Sequence, residues 1–370
     1  CNLTNAVDRT RFLENVPRNP RFLHAALSAL DPGALMALMG ELGVETKIER
    51  GNRVFPASDR ASDVTRALER AIRNLGVEVR LSSRVAGLRI GGGRAAGFRL
   101  EGGSEVPARC CIVATGGASY PATGSTGDGW DWARAAGHRV TPIRPALTPI
   151  ETAEDWPGDL TGLTLKNVGL SADAGGKTVY DERGELLFTH FGLSGPLALT
   201  LSSYLPDEFA GARLHINLKP ALSGEVLDAR LVREAAQNPR RQLGTLIDSL
   251  MPHSLGLKVL ALCGLSAEKP AHSLTQRERR ALGGLIADLP LTVKALRGMA
   301  EAVVTRGGVA VDQINPSTMA SKVLAGLYFA GEAIDVDALT GGFNLQIAFS
   351  TGALAGRRAA LAAGEGRGDG

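Results

Sequence analysis

The spacing of apolar and polar positions changes several times along the chain, and each change marks an element. From about residue 20 to 42 apolar positions recur at helical spacing. Asp31-Pro32 interrupts that run as a capping residue followed by a proline in a new first turn, and Gly43 closes it. ETKIERGNRVFP then reads as a strand and turn. A helix follows from about Ala61 to Leu75, with Ser58 or Asp59 as its cap and Gly76 as its end. VEVRLSSRVAGLRI reads as strands. CCIVATGG, beginning at Cys110, and LYFA, beginning at Leu327, are short continuous apolar runs, the pattern of buried parallel strands. The second opens into a loop carrying Asp335 and Asp337. Thr340, Gly341 and Gly342 then lead into a helix from about Phe343 to Ala355, apolar on nearly every face and so read as buried.

Between these two runs the pattern is different. From Pro142 onward TLKNVGLSAD, KTVYDERGELLFTH and ARLHINLKP alternate as short strands of a small barrel or sandwich. LDARLVREAAQ, RRQLGTLIDSL and SLGLKVLALCGL, between about Ser223 and Thr275, read as three short helices. LTVKALRGMAEAVVTRGGVAVDQI returns to strands. Gly91, Gly93 and Ala96 match the dinucleotide fingerprint G-x-G-x-x-A, but a strand follows instead of a helix, so the stretch reads as a hairpin turn.

Composition narrows the function classes. A chain of 370 residues is long enough for more than one domain, and 44% hydrophobic residues at a mean hydropathy of +0.02 fit a globular protein. A net charge of +3 gives no basis for nucleic-acid or anionic-membrane binding, and no run approaches the roughly 20 apolar residues of a membrane helix. The four cysteines have no metal-ligand spacing, and adjacent Cys110 and Cys111 read as thiols, which sets the default in a reducing cytoplasm. No metal is expected. There is no G-x-S-x-G, H-E-x-x-H or P-loop, so the chemistry belongs to a cofactor.

Five stretches carry a resemblance: CNLTN at the start, RVFPASDRASDV, ATGGASYPATGSTGDG, LFTHFGLSGP, and GLYFAGEAIDVDALTGGFNLQIAFSTGALAG near the end. Together they resemble the BaiN-like bacterial flavoproteins, also described as the aminoacetone-oxidase family of FAD-dependent oxidoreductases. The resemblance implies an α/β fold: a glutathione-reductase-like FAD domain of the two-dinucleotide-binding type. Into it is inserted a β-barrel domain that itself carries a small helical insert. Its boundaries fall at 1–144 and 313–370 for the FAD domain, 145–222 and 277–312 for the barrel, and 223–276 for the helices.

The resemblance also implies a cofactor site. Cys1, Asn2, Thr4 and Asn5 would lie beside the flavin and its ribityl-pyrophosphate arm, and the Val85 backbone against the adenine. Ala114, Thr115 and Gly116 end a strand against the pyrophosphate region, and Thr126 and Gly127 approach the flavin. Gly331, Glu332 and Asp335 sit at a strand's carboxyl end, with the acidic side chains on ribityl hydroxyls. The helix start at Gly342, Phe343, Asn344 and Leu345 would turn its N–H groups to the ring. Asp128 reads equally as an N-cap. His190 reads as a proton donor or as an ordinary turn residue, and Ser194 as the cap of a following helix.

The activity implied is hydride transfer from NAD(P)H through FAD to an activated double bond or carbonyl of a small molecule. Amine oxidation, an RNA-associated flavoprotein and a flavin-less binding scaffold are the alternatives. The first residue is Cys. It fits a lipidated mature terminus or, as the resemblance implies, a chain whose strand, glycine-rich turn and helix precede CNLTN.

Overall fold

Cys111–Val113 and Leu327–Phe329 pair in parallel, Cys111 opposite Leu327 and Val113 opposite Phe329. Continuous apolar sequence suits strands covered on both faces. In this computed structural model, which describes residues 1–365, they lie at the heart of the first of two units, residues 1–146 with the chain from 302 onward. Helix Phe343–Glu365 docks on the pair. Thr351 Oγ1 accepts from Gly331 N at 2.9 Å and donates to Ile347 O at 2.6 Å. Gln346 and Ser350 both donate to the Leu30 carbonyl, at 2.9 and 2.6 Å, and so satisfy an acceptor left over at the end of helix His24–Ala29. The docking helix is longer than its apolar pattern predicts, and its last turns expose Arg357, Arg358 and Leu361.

The stretch Pro20–Glu41 is apolar and long enough to cross a membrane by composition alone, contrary to the sequence reading. The fold breaks it at Leu30, and Asp31 caps the second piece by accepting from Ala34 N at 2.7 Å. Phe22, Leu23, Ala26, Leu27, Leu35 and Met39 are buried, so it serves as core. Thr4–Asn5, Arg53–Pro56 and Thr46–Glu49 form a three-stranded antiparallel sheet. Val85–Gly91 and Arg94–Leu100 form the expected hairpin. Gly92 (φ 60°) and Gly93 (φ 74°) give it the left-handed turn that suits twisted strands. The segment from Val77 to Ser83 is not a strand. It has no ladder partner among the described residues, and Val77, Val79 and Leu81 are exposed. Without a neighbour to take its N–H and C=O groups, β-forming sequence does not make a strand.

The second unit, Leu147–Glu301, is a closed antiparallel barrel. Its six strands run in the order Thr164–Ala174, Lys177–Thr189, Gly192–Ser194, Ile150–Thr152, Leu289–Leu296, Arg213–Asn217. Alternation puts Leu170, Ala172, Leu186, Phe188, Leu214 and Ile216 inside. Helices Gly224–Gln237, Leu243–Leu246, His253–Leu262 and Gln276–Ala287 pack on it. The last was read as barrel from 277 onward. Thr275 and Glu278 cap it reciprocally, and Lys269 with that cap holds the Glu278 carboxyl down to about 2. Residues 302–312 were also read as barrel. They belong to the first unit because Val304–Arg306 pairs with Arg144–Ala146 there.

Phe188 is fully buried, with its ring centroid 5.8 Å from that of Trp156. Phe188→Ala should cost the barrel unit about 3–5 kcal/mol, seen as a lower urea midpoint by circular dichroism. An unchanged midpoint would show that the barrel interior is not packed as described.

Candidate functional site

In open α/β sheets ligands bind beyond the carboxyl ends of the parallel strands. Here both strand ends run into short polar segments that are tied to each other. Gly331 has φ 66° and Glu332 follows it. Glu332 Oε1 accepts from Thr305 N at 2.6 Å and from Ser119 Oγ at 3.3 Å. Thr305 Oγ1 accepts from Ala118 N at 2.8 Å and Ser119 N at 3.1 Å. A Cβ at Gly117 would overlap Thr305 Oγ1 and the Glu332 carboxylate, so only glycine fits. Glu332 is thus a brace between three segments. The expectation that it serves ribityl hydroxyls is narrowed to its other oxygen, because Oε1 is taken.

The Asp335 side chain turns toward Thr141, with Arg18, Arg306 and Arg139 nearby, and burial pushes its pKa up. Asp337 is 1% exposed and receives a two-pronged bond from Arg18, Nε at 3.0 Å and the terminal nitrogen at 2.7 Å. Burial still raises its pKa, outweighing the guanidinium. These contacts place the Asp335 side chain among arginines.

The chain's first residues lie against the start of helix Phe343–Glu365. Asn5 Nδ2 donates to Gly51 O at 3.0 Å and Gly341 O at 3.1 Å, which fixes the orientation of its amide. Asn5 Oδ1 is then left without a partner. Asn2 Oδ1 and Thr4 Oγ1 are also buried without one. Gly342, at φ 96°, has no room for a side chain: a Cβ would meet the Thr4 carbonyl and Asn2 Oδ1. Phe343 and Asn344 have side chains committed elsewhere. Phe343 packs edge-on against Phe12 at 5.0 Å, and Asn344 bonds Ala338 N and O. Only their backbone groups, with those of Gly342 and the exposed Leu345, are available to a ligand.

The other expected residues are distributed more widely. Ala114 is exposed at its strand end, Thr115 Oγ1 is buried without a partner, and Gly116 has φ 75°. Thr126 is exposed, and Gly127 (φ 81°) packs on the Trp130 ring. Gly127, not Asp128, occupies the cap position, and Asp128 pairs with Arg84 instead. Val85 lies opposite Leu100 in the hairpin, and Cys1 is exposed. His190 lies in the other unit on an exposed turn after strand Lys177–Thr189, edge-on to Phe191 at 4.9 Å. Ser194 precedes helix Gly195–Tyr204 but makes no capping bond with its side chain. Thr305 and Ser119 are not singled out by sequence, because their partners lie almost two hundred residues away and leave no local signal, and the bond of Thr351 to Gly331 crosses from helix to strand end.

Orphaned acceptors and a glycine that must stay bare fit a bound molecule rich in hydroxyl and N–H donors, as FAD is. The HI0933-like protein Rossmann domain matches residues 1–358. The chain is 28% identical over 365 residues to the 3-dehydro-bile acid delta(4,6)-reductase of Clostridium scindens, covering 97% of this chain and 87% of that protein. It is 30% identical over 354 residues to the ribosomal RNA dihydrouridine synthase of Escherichia coli, covering 95% and 84%. The Haemophilus influenzae protein of the same name is 29% identical over 356 residues, covering 95% and 85%. The resemblance read from the five stretches is borne out.

Two outcomes follow from this geometry. Gly342→Ala should strain the backbone by roughly 1–3 kcal/mol and displace Asn2 and Thr4. It should lower both the melting temperature and the FAD retained on gel filtration, and wild-type values for both would refute the cradle. For Asp337 the raised folded pKa means that its stabilisation is full below 3.8 and is lost as pH rises through the folded value. The stability of wild type minus Asp337→Asn should therefore fall between pH 4 and pH 7, read from urea midpoints. A difference that grows with pH would mean that Arg18 outweighs burial.

Proposed function

The chain belongs to the HI0933-like Rossmann family, whose members are FAD-dependent oxidoreductases, and we propose that it reduces a carbon–carbon double bond conjugated to a carbonyl. The observation that carries this reading is the set of buried, partnerless Asn2 Oδ1, Thr4 Oγ1 and Asn5 Oδ1 on the segment that packs against bare Gly342 at a helix start. The relatives' names add the acceptor chemistry. A delta(4,6)-reductase of a 3-dehydro acid and a dihydrouridine synthase both saturate a double bond in a flat ring that carries a carbonyl.

When bound, FAD supplies the two-electron carrier that accepts hydride from NAD(P)H and passes it to the acceptor. The chain's part is to bind and polarise. Asn2, Thr4 and Asn5 would take donors of the cofactor, and Thr115 with Ala114 and Gly116 would let its phosphate arm lie close. The first turn of helix Phe343–Glu365 would offer unpaired N–H groups to the cofactor, and its positive end would favour negative charge there by about 1 kcal/mol. The Glu332 brace keeps the strand ends in register with the loop of Ser119. A glutathione-reductase-like, two-dinucleotide-binding architecture accommodates this arrangement. Four free cysteines support a cytoplasmic setting.

A ribosomal RNA substrate is the second reading, favoured by the names of the two dihydrouridine synthases and opposed by the small net charge. The test is anaerobic stopped-flow spectroscopy on the FAD-loaded protein. NADH or NADPH should bleach the flavin, and an unsaturated 3-oxo steroid or a uridine-containing RNA should restore its colour faster than buffer does. Bleaching by a primary amine but by neither nicotinamide would replace the reductase with an amine oxidase. Dihydrouridine detected by mass spectrometry would decide for RNA.

A further inference from the structure

Eight described residues other than glycine have positive φ, and seven are accounted for locally. Asn19, Asn52, Asp59, Ser82 and Asn167 are short polar residues that tolerate the left-handed region. Leu147 and Met319 are wholly buried, so packing offsets their strain. Tyr120 is the exception. It sits at φ 51°, ψ 59° immediately before Pro121, yet half of its surface is exposed. A bulky residue there bears backbone strain with no burial in return.

The fold holds it there from both sides. Before it, Ser119 is buried and tied to Thr305 and Glu332. After it, Thr123 donates to the Tyr120 carbonyl through N at 2.8 Å and Oγ1 at 2.7 Å. Gly124 N donates to Pro121 O at 3.1 Å. The Ser119 anchor belongs to the brace at the carboxyl ends of the parallel strands, so Tyr120 directly follows a residue of the candidate site. Strain that the surroundings enforce at a site's edge is a mark of function.

We propose that Tyr120 is the platform on which the flat conjugated ring of the acceptor stacks. The inference rests on the reductase reading, from which the flat ring comes. An aromatic face binds any flat ring without regard to its hydrogen-bonding edge. Tyr120 is thereby a positioning and specificity residue, favouring planar enone or pyrimidine rings over aliphatic acceptors.

The test is equilibrium dialysis of uridine and of androst-4-ene-3,17-dione against the FAD-loaded full chain, as wild type, Tyr120→Phe, Tyr120→Leu and Tyr120→Gly. Whichever ring binds wild type should bind Tyr120→Phe within twofold, and Leu and Gly roughly tenfold more weakly. FAD content should not change, and Tyr120→Gly should melt at or above the wild-type temperature because it relieves the strain. Three results would overturn the platform: wild-type affinity in Leu and Gly, a loss in Phe as large as in Leu, or no binding of either ring by wild type. Binding that depends on Tyr120 without any reduction of the bound ring would uphold the platform and remove the reductase reading instead.

Discussion

The bond from Asn5 to Gly341 spans 336 positions of sequence, and the candidate site exists because of it. Gly342 is pressed against the Thr4 carbonyl, so the first residues of the chain and the start of helix Phe343–Glu365 share one surface. Close approach of two backbones leaves side-chain oxygens facing inward with no protein donor, at a cost that a ligand with donors can offset. The same helix is fixed further along by Gln346 and Ser350 on Leu30, and by Thr351 on Gly331. These buried polar bonds set its register, which apolar contacts alone would not do.

Such long-range closure is compatible with a large insertion because loop closure costs little more as a loop grows. Residues 147–301 leave and return through the paired strands Arg144–Ala146 and Val304–Arg306. Thr305, on the returning strand, bonds the loop of Ser119 and receives the Glu332 carboxylate on its N–H. The segment that re-enters from the insertion is therefore the one that orders the strand ends. A carboxylate that accepts several bonds from one framework holds that framework rigid, and Glu332 does so through Oε1.

Much of this was legible in order along the chain. The Asp31-Pro32 cap, the Gly92-Gly93 turn, the barrel strands and the buried runs at Cys111 and Leu327 are set by neighbours within a few residues, where spacing and turn chemistry act. The five family stretches named the candidate residues because whole motifs, not single glycines, were matched. Local reading failed where the partner decides. VEVRLSS has strand composition but no neighbouring strand among the described residues, and TQRERRALGGLIA, expected in the barrel, is a helix fixed by its capping box.

The sequence by itself determined the two buried parallel strands, the short antiparallel strands of the second unit and the helices between Ser223 and Thr275, because these follow from local period and turn residues. Only the tertiary structure decided which partners the expected site residues have within the chain. Glu332 became a brace, Asp335 turned toward Thr141, Phe343 joined the core, and Asn2, Thr4 and Asn5 kept their oxygens unpartnered. Whether a polar atom is satisfied depends on donors hundreds of residues away, and the periodicity of a chain carries no record of distance in space.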